Sequence, residues 1–159
     1  MCTFIFLGDF MDIKYMNMAL KQAEKAYSNG EIPVGAVIVK DNCVISKAYN
    51  TKEKYNSAIN HAEISAIIKA SKKVNNWRLS GCEMYVTLEP CPMCASAIKQ
   101  SRIKCVYAAL RSSDDDNYHM ISKIFNSDST NPSVEFYNDV LPSKSRELLQ
   151  SFFSNRRTM

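Results

Sequence analysis

Residues Glu83–Leu110 read EMYVTLEPCPMCASAIKQSRIKCVYAAL, and this stretch decides the fold. Met84, Val86 and Leu88 alternate with Glu83, Tyr85 and Thr87, the period of a β-strand. Pro90 and Pro92 stop that strand. Pro92 also suits the first turn of a helix, where its missing N–H costs nothing. The helix runs to about Ser101, and Ile103–Leu110 reads as the next strand.

Upstream, Val34–Val39 is a continuous apolar run, Asp41-Asn42 a turn signal and Val44–Tyr49 a second strand, so the chain makes a hairpin. A polar loop, Asn50–Asn60, leads to a helix starting near His61. Ile64, Ile67 and Ile68 are expected to form its buried face, and Lys72-Lys73 and Asn75-Asn76 close it. Ile13, Met16, Leu20, Ala23 and Tyr27 mark an earlier helical stripe that begins at Asp12 and ends at Asn29-Gly30. Downstream, residues 111–133 are polar, with a short helix expected near Met120–Phe125. Ser133–Tyr137 is a weak fifth strand. Leu148, Leu149, Phe152 and Phe153 are the apolar face of a last helix ending at Arg156-Arg157. This order predicts an α/β domain, a five-stranded sheet with helices on both faces.

The 159 residues suggest one domain, read as 12–159, with 1–11 an N-terminal extension that fits nothing after it; Met11 is a candidate start. Apolar residues make up 46% and charged residues 23%, and no stretch approaches the roughly 20 apolar residues of a membrane span. The apolar opening Cys2–Leu7 lacks a basic flank and is interrupted by Gly8-Asp9, so it does not read as a secretory signal. A cytoplasmic protein with reduced thiols is expected, with Cys43, Cys82 and Cys105 as buried apolar side chains. The formal charge of +4 is compatible with RNA but weak evidence for it.

Two short motifs carry the chemistry. His61-Ala62-Glu63 is H-x-E, and Pro90-Cys91-Pro92-Met93-Cys94 is P-C-x-x-C, with 27 residues between Glu63 and Cys91. One imidazole and two thiols suit a tetrahedral Zn²⁺ with three protein ligands and an open fourth position. The x-x spacing turns both sulfurs toward one point across a single helical turn, and a helix N-terminus favours the thiolate form. Glu63 is then placed to move protons. The competing reading makes Asn60 an N-cap and Glu63 the third residue of a capping-box variant. A structural four-ligand site would need a scattered Cys or His119, because the chain has no second C-x-x-C.

Together the two motifs resemble the signature of zinc-dependent nucleobase deaminases. The resemblance extends further. Glu31-Ile32-Pro33-Val34-Gly35-Ala36-Val37, Asn76-Trp77-Arg78-Leu79, Tyr85–Cys91, Ser101-Arg102-Ile103 and the C-terminal Phe152-Phe153 with Arg156-Arg157 are similar to bacterial tRNA adenosine deaminases over about residues 12–157. The resemblance implies a cytidine-deaminase-like three-layer α/β/α sandwich around a mixed sheet. It also implies a homodimer, one zinc per chain held by His61, Cys91 and Cys94, and Glu63 as proton shuttle. The implied reaction converts adenosine to inosine at the first anticodon position of a tRNA, with the anticodon stem-loop as partner. Asn50 matches a residue that hydrogen-bonds the flipped purine, and Val34 and Leu88 match apolar walls around the base. Phe153, Arg156 and Arg157 are the expected RNA contacts. Beside these, Asn50 also reads as an ordinary turn residue, Val34 and Leu88 as core, and the arginines as a helix end.

One stretch departs from the family. Where relatives carry Gly-Ala-x-Asp-x-Lys-x-Gly, this chain has Ala109-Leu110-Arg111-Ser112-Ser113-Asp114-Asp115-Asp116. Three acids beside phosphates would oppose RNA binding. The stretch is expected to be a solvated loop turned away from substrate; the alternative is altered recognition or a smaller substrate. Asn60 also replaces the family's usual Ala. The zinc motifs do not separate tRNA adenosine from a free base or nucleoside such as cytosine or guanine. A zinc-stabilised RNA-binding module without catalysis is disfavoured by Glu63, since binding alone has no use for a carboxylate aimed at the metal.

Overall fold

The computed structural model describes residues 3–127 and 130–157, with side chains from residue 13 onward. Ten elements follow in order: α1 (Thr3–Ser28), β1 (Gly35–Lys40), β2 (Cys43–Tyr49), α2 (Ala62–Val74), β3 (Glu83–Val86), α3 (Pro92–Gln100), β4 (Cys105–Ala108), α4 (Asp115–Asn126), β5 (Glu135–Tyr137) and α5 (Pro142–Arg157). The strands form one mixed sheet in the order β2-β1-β3-β4-β5. β1 runs antiparallel to both β2 and β3, while β3, β4 and β5 are parallel. The β1–β2 turn uses left-handed Asp41 (φ 49°) and Asn42 (φ 61°), as a twisted hairpin requires.

Both faces of the sheet are buried at its centre, which is why β1 is apolar from Gly35 to Val39. Ala36, Ile38, Met84, Val86, Val106 and Ala108 point to one side and pack with Ala62, Ala66, Ala70, Ala95, Ile98, Ile121 and Phe125 from α2, α3 and α4. Val37, Val39 and Tyr85 point to the other and pack under Tyr15, Met16, Ala19 and Leu20 of α1. α5 lies on α1: Lys144 pairs with Glu24 at 2.6 Å, and Asn155 Nδ2 donates to Tyr27 Oη at 2.8 Å. This is the expected three-layer sandwich.

Several sequence expectations shift. α1 reaches back to Thr3, well before Asp12, while Met1 and Cys2 lie outside the described residues. Ile13 is 42% exposed, and Tyr15, Ala19 and Ala26 join the buried stripe instead. In α2 the buried face is Ala62, Ala66 and Ala70, with Ile68 49% exposed and Ile64 and Ile67 half-buried. Small residues four apart let this helix lie close on the sheet, and the larger isoleucines flank the contact. Cys82 and Cys105 are buried, but Cys43 begins the edge strand and is exposed. The acidic stretch starts a longer α4. Asp114 is its N-cap, accepting the N–H groups of Asp116 (3.0 Å) and Asn117 (3.3 Å), and Asp115 and Asp116 occupy the first turn, where helix polarity favours acids.

Candidate active site

The ends of two helices meet. His61 is the N-cap of α2 and Cys91 the N-cap of α3, both with extended backbone and no side-chain capping bond. Their side chains are therefore free for another task. His61, and not Asn60, caps the helix, so Glu63 is its second residue and the capping-box reading fails. Cys94 lies one turn into α3, fully buried.

His61 Nδ1 is 3.7 Å from Cys91 Sγ and 3.5 Å from Cys94 Sγ. With Zn–S of about 2.3 Å and Zn–N of about 2.05 Å, a tetrahedral angle separates N from S by about 3.6 Å. The three donor atoms, all within 4.8 Å of one another, thus have the spacing of three corners of a zinc tetrahedron. They are one nitrogen and two sulfurs, the donor set zinc prefers. Among the described residues no fourth His, Cys, Asp or Glu joins the group.

Without metal, the three groups share protons. The Cys94 thiol, and then His61, hold the Cys91 thiol down to about 4 against the opposing effect of burial. The Cys91 sulfur raises His61 above the usual imidazole value, and Cys91 together with burial pushes the Cys94 thiol up. Glu63 is 4% exposed, and burial pushes its carboxyl up to about 7 against the pull of its own backbone N–H and His61. A carboxyl with that pKa both gives and takes a proton at neutral pH.

His61, Glu63 and Cys91 line a cavity of about 300 Å³, the size range of small-molecule sites, whose walls include Ile32, Val34, Asn50, Lys52, Leu88 and Glu89. Val34 and Leu88 stand on it. Asn50, 6% exposed, also holds its own loop: its Nδ2 donates to Ile32 O (3.4 Å) and its Oδ1 accepts the Lys52 N–H (3.3 Å). The buried Glu31 carboxylate fixes the same loop by accepting the N–H groups of Glu53 (3.1 Å) and Lys54 (2.7 Å). Phe153, 45% exposed, and Arg157 lie apart from the cavity along a groove on α5. Arg156 donates to Gly30 O at 3.0 Å and stacks on Phe152, which ties α5 to the end of α1 two residues before Ile32. Sequence reading missed Lys52, Glu89 and the two asparagines that hold Glu89. The signal for Glu89 lay in its place beside P-C-x-x-C.

A buried carboxyl beside a His/Cys/Cys zinc triangle, on an α/β/α sandwich, defines a zinc-dependent deaminase. The chain belongs to the cytidine and deoxycytidylate deaminase family, whose zinc-binding region matches residues 11–110. It is 42% identical over 144 residues to the tRNA-specific adenosine deaminase of Rickettsia bellii, covering 89% of this chain and 99% of that protein. It is 40% identical over 147 residues to the tRNA-specific adenosine deaminase of Aquifex aeolicus, covering 90% and 94%. A solved structure from work on A-to-I editing by tRNA:A34 deaminases at the wobble position superposes with a TM-score of 0.77 at 32% identity, over 86% of this chain and 99% of that one. Guanine deaminase from Bacillus subtilis superposes with a TM-score of 0.61, also at 32% identity, over 91% and 92%.

Proposed function

We propose that this protein hydrolyses adenosine to inosine and ammonia at the first anticodon position of a tRNA, with one zinc per chain held by His61, Cys91 and Cys94. The observation that carries this reading is the Glu63 carboxyl, buried beside the ligand triangle in a cavity of base size. Bound there, zinc supplies a water whose pKa is lowered to about 7. Glu63 takes a proton from the attacking water and delivers it to the purine ring nitrogen beside C6, then takes the remaining proton of the hydroxyl added at C6 and gives it to the departing ammonia. Val34 and Leu88 flank the flipped base and exclude water. Asn50 presents an amide able to donate and accept at the purine edge. Phe153, Arg156 and Arg157 meet the anticodon stem-loop outside the cavity.

The curated relatives, tRNA-specific adenosine deaminases matched nearly end to end, support this substrate. The domain is read as 12–159, with 1–11 as an extension. A cytoplasmic homodimer fits the apolar residues left at the surface around α2, Tyr55 (60% exposed), Ile59 (58%) and Ile68 (49%). Among the described residues no helix is long and apolar enough to cross a membrane.

A second reading, deamination of free guanine, keeps one observation in its favour, the likeness to the Bacillus subtilis guanine deaminase. The deciding experiment offers the purified protein an anticodon stem-loop with adenosine at the first anticodon position and, separately, free guanine and cytosine. Inosine and ammonia from the stem-loop alone are expected. Ammonia from guanine with none from RNA would replace the first reading with the second.

A further inference from the structure

Glu89 is a buried carboxylate that the deamination chemistry above does not use. It is 4% exposed, lines the active-site cavity and stands two residues before the ligand Cys91. One carboxylate oxygen accepts Asn117 Nδ2 of α4 at 2.8 Å, and the other accepts Asn138 Nδ2, just after β5, at 2.7 Å. Asn117 Nδ2 also donates to Pro90 O at 3.3 Å. The Glu89 N–H donates to Leu110 O at 2.8 Å. One side chain and its own peptide thus join the segment bearing Cys91 to the loop after β4, to α4 and to the β5–α5 connection.

The three ligands are not held equally. Cys94 is fixed inside α3, whereas His61 and Cys91 are both helix N-caps. Cys91 has helix only on its C-terminal side, where its carbonyl accepts the Ala95 N–H at 2.9 Å. On its other side β3 has ended at Val86, and Pro90 has no N–H to offer. The Pro90 carbonyl is held by Asn117, and Asn117 is oriented by Glu89. The loss of a charged acceptor would leave two amides without their partner and release the peptide that sets the Cys91 sulfur.

We propose that Glu89 is a positioning residue that fixes the ligand Cys91 through Asn117 and the Pro90–Cys91 peptide. The proposal rests on the zinc assignment and is independent of which base is deaminated. Residues that orient a metal ligand in this way change metal affinity or activity by about 10- to 100-fold when removed.

The test compares wild type with Glu89→Ala, Asn117→Ala and Glu89→Gln. Each protein is loaded with Zn²⁺ for release to a chromophoric chelator and for turnover, and with Co²⁺ for its thiolate-to-metal and d–d absorption bands. Glu89→Ala is expected to release zinc about 10- to 100-fold faster, shift the cobalt bands and lower kcat more than it changes KM. Asn117→Ala moves the same readouts in the same direction by less. Glu89→Gln recovers most of the loss. Its amide oxygen still accepts from Asn117, and its NH₂ can donate to Asn138 Oδ1, a buried atom with no partner among the described residues, once that amide turns over. A lowered melting temperature with wild-type cobalt bands, zinc release and kcat in Glu89→Ala would overturn the proposal. Where Glu89→Ala does not fold, the same wild-type values in Asn117→Ala overturn it. Wild-type protein that takes up no zinc would remove the metal assignment and the proposal together.

Discussion

Gly35 and Thr87 exchange two hydrogen bonds: the Gly35 N–H donates to Thr87 Oγ1 at 3.1 Å, and the Thr87 N–H donates to Gly35 O at 3.0 Å. The pair closes the end of the β1–β3 ladder between Val34 and Leu88, the two apolar walls of the cavity. α1 presses on the same point. A Cβ on Gly35 would lie 2.1 Å from Ala19 O and 2.6 Å from Ala23 N, backbone atoms with no freedom to give way. Gly35→Ala must therefore push α1 off the sheet. A loss of about 3 kcal/mol or more is expected, at the upper end for a single substitution. Thermal unfolding measures it, and a melting temperature equal to wild type would show that α1 does not pack as described.

Glu63 is expected to couple the stability of the metal-free chain to pH. Its carboxyl titrates at about 7 in the folded protein, against an ordinary value of 4.5. The folded, metal-free chain therefore holds this proton more tightly than the unfolded chain does. That contribution is full below about pH 4.5 and is lost as pH rises through about 7. Glu63→Gln cannot ionise. In chelator it should gain stability relative to wild type between pH 5 and pH 8, by up to about 3 kcal/mol at 1.36 kcal/mol per unit. Zinc-loaded Glu63→Gln should keep its metal and fall in single-turnover rate by about 10²- to 10⁴-fold. A stability difference that is flat with pH, together with near-normal turnover, would remove Glu63 from the proton path.

The clustering of His61, Cys91 and Cys94 was legible because a metal site fixes residue types and spacing, and both are local to two short motifs. The sheet was legible from Val34–Val39 and from the strand, helix and strand of Glu83–Leu110. Other features depended on what lies across from a residue. Apolar periodicity marked Ile64, Ile67 and Ile68, but it could not show that Ala62, Ala66 and Ala70 are the face that meets the sheet. Asp114-Asp115-Asp116 read as loop because charge dominated the stretch. Yet an Asp cap with acids in the first turn, followed by Tyr118, Ile121 and Phe125, is also a helix start. Glu89 gave no periodic signal, and its partners Asn117 and Asn138 are 28 and 49 residues away in sequence.

The two C-terminal arginines should behave differently. Arg156 already donates to Gly30 O and stacks on Phe152, whereas Arg157 lines the open groove with Phe153. Arg157→Ala should lower the slope of log affinity for a tRNA against log salt by about 0.7 to 0.9, the value of one phosphate contact. Arg156→Ala should lower the melting temperature through the lost tie between α5 and α1, with a smaller change in slope. Equal salt slopes in wild type and Arg157→Ala would exclude that phosphate contact.

The acidic start of α4 separates two roles by salt. Asp114 caps the helix through the Asp116 and Asn117 N–H groups, and Asp115 pairs with Arg111 at 2.6 Å, so both have structural work to do. Asp116 is exposed and has no ion pair among the described residues. Asp114→Ala should cost about 1 kcal/mol of stability through the lost cap. Because Asn117 sits in the same first turn and holds Glu89, that loss should also speed zinc release. Asp116→Asn should leave stability within about 0.5 kcal/mol of wild type, as surface substitutions do. If Asp116 faces the bound tRNA, the same change tightens binding at 0.01 M salt, and the gain fades by 0.15 M as the Debye length falls from about 30 Å to about 8 Å. The cap and the anchored Asn117 argue that this turn is built to hold the active site and not to touch RNA. The expected result is therefore an affinity for tRNA that Asp116→Asn does not change at either salt concentration. A salt-dependent gain would place the turn against the phosphate backbone.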